Sequence, residues 1–99
     1  MYHDPKEYAR VTHPTDLPNF CIVHLPKISI AFSYETPIAY STAGTGWQVT
    51  DRSWSKTTGK HLNYMEDDKK KRIPNEEWEE GFMLALGRRV LANGQEVWR

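Results

Sequence analysis

Polar and apolar positions alternate along this chain with two different periods, and the change of period divides it. From residue 28 to 34 the alternation is strict. Ile28, Ile30, Phe32 and Tyr34 fall on one side, and the small residues Ser29, Ala31 and Ser33 on the other, the period of a β-strand. Small side chains on that second face suit a helix packed close against it. Upstream, residues 19–25 read as a strand that is apolar on both faces and therefore central or covered, with Phe20, Ile22 and His24 opposite Cys21, Val23 and Leu25. Pro26 and Lys27 end it. Glu35-Thr36-Pro37 makes a turn or bulge, since proline is admissible only at a strand start or an edge. A strand over 37–42 carries Ile38 and Tyr40, and Ala43-Gly44-Thr45-Gly46 is the strongest hairpin loop in the chain. Residues 47–51 return as its partner, with Trp47, Val49 and Asp51 opposite Gln48 and Thr50.

Beyond Asp51 the period lengthens. Residues 53–61 are dense in hydroxyls, and Thr57 or Thr58 is expected to cap a short helix holding His61, Leu62, Tyr64 and Met65. The run EDDKKKR, residues 66–72, compensates its own charge and reads as a solvated loop or helix tail. Pro74 then opens the long helix, with Glu76, Glu77, Glu79 and Glu80 near its positive end. Trp78, Phe82, Leu86 and Val90, joined by Ala85, form its apolar stripe. Asn93-Gly94 either ends that helix or forms a type I′ turn. The favoured reading is a helix to about Leu91 with a tail docking through Val97 and Trp98. Residues 1–18, broken by Pro5, Pro14 and Pro18, read as a polar arm with one helical turn after Asp4. Residues 19–99 make a single domain. The expected fold is α+β: a small antiparallel sheet of three to four strands packed against one long C-terminal helix, with a short helix after the hairpin.

Composition narrows the function. A chain of 99 residues buries a thin core, and with 38% hydrophobic and 12% aromatic residues that core leans on rings. Thirteen basic residues balance thirteen acidic ones. That argues against a duplex DNA binder, which needs a basic excess, and favours a standing partner or a dimer. Cys21 is the only cysteine, so no internal disulfide or cysteine zinc cluster forms, and its apolar neighbours suggest a buried thiol. His3, His13, His24 and His61 lack paired ligand spacing, so neither metal nor cofactor is expected. No apolar run approaches the roughly 20 residues of a membrane span, which suggests a cytoplasmic protein.

Two stretches, FSYETPIAY at 32–40 and SWSKTTGKHLNYM at 53–65, carry a resemblance. They resemble a family of short uncharacterised proteins from phages, mobile elements and their bacterial or archaeal hosts. Its members show a comparable SY-x-TP-(I/V)-A strand followed by an S-x-TT-x-x-H-(I/L)-N corner. The resemblance covers roughly the middle third of the chain and leaves the long helix outside. It implies a genetic-mobility cargo domain without an established activity.

The hydroxyl-rich corner holds a nucleophile and a base by residue type: Ser55, Thr57, Thr58, Lys60 and His61. No glycine elbow surrounds any serine, so the threonines are read as caps and His61 as bonded to the preceding backbone. Thr57-Thr58-Gly59-Lys60 lacks the spacing of a nucleotide loop. The expectation is therefore a non-enzymatic protein that binds and occludes a host protein or ribonucleoprotein. Inhibition of a defence system such as a CRISPR effector is the form that the resemblance and analogy imply. Trp47, Trp54, Lys56, Lys60, His61 and Tyr64 form the expected contact surface. The acidic face of Glu76, Glu77, Glu79 and Glu80 is its rival, imitating phosphates toward a basic groove. The alternative function is binding of RNA or single strands, with bases stacked on Trp47 and Trp54 beside Lys56 and Lys60.

Overall fold

A computed structural model describes residues 10–42 and 45–91, the side chains of 88–91 excepted. Five strands, β1 (Arg10–Thr12), β2 (Phe20–His24), β3 (Ile28–Ser33), β4 (Thr36–Thr42) and β5 (Gln48–Val49), precede two helices, α1 (Lys56–Met65) and α2 (Asn75–Leu91). The strands lie side by side in chain order, each antiparallel to the next, as a meander. The α+β expectation is borne out, with five strands in place of three to four. The additional one is β1, inside the stretch read as an arm. Val11 and Thr12 are good strand formers, but three residues are too short a run to read as a strand, and they are held by pairing Val11 with Val23 and Thr12 with Ile22. The helical turn after Asp4, residues 43–44 of the glycine loop, the Val90 side chain, Asn93-Gly94 and the docking of Val97 and Trp98 all lie outside the described residues.

β3 stops one residue earlier than its alternation suggests. Ser33 pairs with Thr36, and Tyr34-Glu35 forms a two-residue turn with Tyr34 at φ 58°. The turn expected at 35–37 thus begins one residue earlier, with a tyrosine where glycine is usual. Within β4, Ala39 faces Ala31 and Pro37 faces Phe32, leaving Ile38 as the extra residue of a bulge. Pro37 is tolerated beside that irregularity. The Ile38 carbonyl accepts the Thr50 N–H at 3.0 Å, and Ile38 itself is fully buried.

The register sets the two faces. Phe20, Ile22, Ala31, Ala39 and Val49 share one face and cluster with Ile38 and the α1 residue Leu62. The small face of β3 thus receives α1, as its side-chain sizes suggest. Tyr40 lies on the opposite face with Ile30 and Gln48, and α2 packs there. Trp78 and Phe82 lie against the Tyr40 ring at 5.7 and 5.5 Å between centroids. The Trp78 Nε1–H also donates to the Gln48 carbonyl at 2.7 Å. Ile73 bridges Thr50 in parallel just before α2, and the Thr50 hydroxyl donates to the Asn75 side chain at 2.7 Å. These bonds fix where the second helix starts.

Candidate functional site

Ser55 caps α1, in place of the expected Thr57 or Thr58, so the helix begins two or three residues earlier. Its Oγ accepts the Thr58 N–H at 3.1 Å. The Thr58 side chain is thereby freed to face the sheet. The Ser55 hydroxyl donates to Thr58 Oγ1 at 3.2 Å, Thr58 Oγ1 lies 3.0 Å from Ser33 Oγ, and Ser33 Oγ lies 2.8 Å from His61 Nδ1. The other ring nitrogen of His61 bonds the Pro18 carbonyl at 2.8 Å. In a neutral ring this fixes every direction: Nε2–H donates to Pro18, so Nδ1 accepts from Ser33, which accepts from Thr58. Ser33, Thr58 and His61 are each fully buried. Each is satisfied, as interior polar groups generally are. His61 therefore bonds two distant segments, where the preceding backbone was expected.

In this chain of bonds a hydroxyl donates to a ring nitrogen, but it does so in the interior. Ser33 and His61 are shielded from any substrate, and the imidazole faces the hydroxyl through Nδ1 while Nε2 is tied to a carbonyl. His24, half-buried, sits between the hydroxyls of Thr12 and Ser29 at 3.0 Å each. Among the described residues no hydrogen bond joins either ring to a carboxylate, and no three His, Cys, Asp or Glu side chains gather closely enough to hold a metal.

The expected contact surface divides in two. His61 is interior, and Trp47 is half-buried against the core cluster. His61 leaves the surface because α1 must bury one side, and Thr58, His61, Leu62 and Met65 at i, i+3, i+4 and i+7 are that side. Trp54, Lys56, Lys60 and Tyr64 remain exposed. Lys56, Lys60 and Tyr64 are spaced four apart and so form one row along the helix. Tyr64 is steadied at its inner edge by Phe20, ring to ring at 5.4 Å. Arg52 joins them, with its guanidinium 5.9 Å from the Trp54 ring. Sequence reasoning passed over Arg52, although its position two residues from Trp54 was a legible sign. No residue of α1 is acidic. The rival acidic residues Glu76, Glu77, Glu79 and Glu80 are all exposed on α2, which packs on the other face of the sheet.

A cleft of about 540 Å³ opens at one end of the sheet, between the loop following β1 and the Tyr34-Glu35 turn. Leu17, Pro18 and Phe20 form its apolar wall, and His13, Tyr34 and Glu35 its polar side. Cys21, half-buried where a buried thiol was expected, reaches the same cleft.

A family model described as a family of unknown function, DUF8033, matches residues 11–80 of this chain. No curated protein matches it, and no solved structure does. The matched span runs from β1 through the first turns of α2, and so takes in the whole sheet, α1 and the buried hydroxyl–imidazole chain. Among the described residues no helix is long and apolar enough to cross a membrane.

Proposed function

The chain belongs to the DUF8033 family of unknown function, and from that premise we propose that it works by contact, binding an anionic face of a macromolecule through the outer side of α1. One observation carries the reading: Lys56, Lys60 and Tyr64 stand in one exposed row on α1, a helix that contains no acidic residue, and the exposed Arg52–Trp54 pair lies in the segment just before it. Charges of one sign steer an oppositely charged partner. Half-exposed aromatic rings supply the desolvated anchors that dominate interface energies.

The partner in this reading is a host protein or ribonucleoprotein whose working surface becomes occluded. A phage or mobile-element setting in the host cytoplasm, and a defence effector such as a CRISPR complex as the target, are its narrowest form and rest on the resemblance and analogy. No bond-making step belongs to it, in keeping with the inaccessible Ser33 and His61. A second reading, single-stranded RNA or DNA, is favoured by the Arg52–Trp54 pair, since a base stacks on an exposed indole flanked by cations.

Affinity capture from host lysate tests the proposal, using the wild type beside Lys56→Glu/Lys60→Glu, each with and without nuclease. Capture that survives nuclease and disappears in the charge-reversed variant supports a protein partner. Loss on nuclease treatment, together with oligonucleotide binding that weakens steeply with salt, supports the second reading. Undiminished capture by the charge-reversed variant refutes both.

A further inference from the structure

The cleft at the sheet end is lined by no residue of the α1 row, although Phe20 touches both, and contains a feature that packing does not explain. Asn19 and Tyr34 are the described non-glycine residues with positive φ, at 60° and 58°, and they are joined by the Tyr34 N–H donating to the Asn19 carbonyl at 2.7 Å. Asparagine visits this region readily, but a bulky L-residue does so at a steric cost. Tyr34 occupies the first central position of a two-residue hairpin turn, a place where positive φ ordinarily selects glycine. Burial does not offset that cost, because the side chain is 48% exposed. The ring lies 6.3 Å from the buried His61 ring and borders the cleft. Backbone strain of this kind, held at the mouth of a cavity, points toward a binding role.

The chemistry of the lining selects the ligand. Glu35, next to Tyr34, contributes a carboxylate, and among the described residues that line the cleft there is no lysine or arginine. His13 uses Nδ1–H on the Phe20 carbonyl at 3.2 Å, which leaves Nε2 of the neutral ring as an acceptor. An aromatic face, a carboxylate and a ring nitrogen together suit a flat cation with several N–H donors. A guanidinium stacks on tyrosine and forks onto a carboxylate, whereas an ammonium is compact and more strongly hydrated. The volume, about 540 Å³, lies within the range of small-ligand sites.

We propose that this cleft seats an arginine side chain of a protein partner, its guanidinium stacked on Tyr34 and paired with Glu35. The strained turn of Tyr34 then serves to set its ring and the adjacent Glu35 at the same cleft. The site is independent of the α1 row and stands whether or not that surface binds anything.

The test is an NMR titration of the ¹⁵N-labelled full chain with acetyl-Gly-Arg-Gly-amide, beside the same peptide carrying citrulline, its neutral isostere. Amide shifts at Asn19, Tyr34 and Glu35 are expected to saturate with the arginine peptide, with Kd on the order of millimolar, and to be absent with citrulline. Glu35→Gln is expected to weaken binding about fivefold. Tyr34→Gly suits the turn without strain, so it is expected to leave the rest of the spectrum native while weakening binding about tenfold. Equal shifts from both peptides, no shift from either, or unchanged binding by a natively folded Tyr34→Gly chain would overturn the assignment.

Discussion

Replacing Ser33 with alanine removes one hydroxyl and strands two partners. His61 Nδ1 loses its donor and Thr58 Oγ1 its acceptor, both in the interior. A buried group left unsatisfied costs about 1–3 kcal/mol, and urea denaturation of Ser33→Ala is expected to register a loss of that size. Adding Thr58→Val is expected to cost less than the sum of the single changes, because the two residues share one bond network. Tyr40 supplies a second residue-scale outcome. Burial raises its phenol above the ordinary tyrosine value of 10.0, so the folded chain holds that proton more tightly than the unfolded chain. The associated stability is complete below about pH 10 and is lost as pH rises through the folded-state value. Melting temperature is therefore expected to fall in alkaline buffer, and Tyr40→Phe to flatten that fall.

Between elements, α2 comes close to β4 at Gly81. A Cβ placed on Gly81 would sit 2.8 Å from the Tyr40 hydroxyl oxygen and 3.9 Å from the ring carbon that bears it. The ring is hemmed in by Trp78 and Phe82, themselves stacked at 5.0 Å, so the hydroxyl has little room to retreat. Alanine is favoured over glycine inside a helix by about 1 kcal/mol. The two effects oppose each other, and which prevails depends on a single oxygen atom. Gly81→Ala is expected to destabilise the wild type and, in a Tyr40→Phe background, to stabilise by up to about 1 kcal/mol. A double-mutant cycle followed by chemical denaturation checks the change of sign.

Across the whole molecule, the sheet stands between the lysines of α1 and the glutamates of α2. Lys56 and Lys60 project from the helix on one side, and the four glutamates of α2 from the helix on the other. A net charge of zero thus conceals a separation that only the three-layer arrangement creates. The α2 layer is held largely through Trp78, which is buried, meets Tyr40 and bonds the Gln48 carbonyl. Trp78→Ala is expected to cost about 3–5 kcal/mol, a large share of the roughly 5–15 kcal/mol available to a domain of this kind. Near-ultraviolet circular dichroism, followed beside the far-ultraviolet signal in urea, would detect α2 releasing before the sheet melts.

Alternation over residues 28–33 and the apolar positions Trp78 and Phe82 determined, by sequence alone, a central strand with one small face and a helix with one sticky side. Those features depend on side-chain size and period, which are local properties of the chain. Tertiary structure decided the rest. The strand at Arg10–Thr12 exists because Val23 and Ile22 offer it a ladder, and the tight turn at Tyr34 exists although no glycine marks it. His61 is the plainest case. Its position beside Lys60 suggested a surface residue, yet it lies inside because Ser33 and Pro18, 28 and 43 residues away, satisfy both ring nitrogens. Partners so distant in sequence meet only when the sheet has formed and α1 has docked, and no local pattern of residues encodes that meeting.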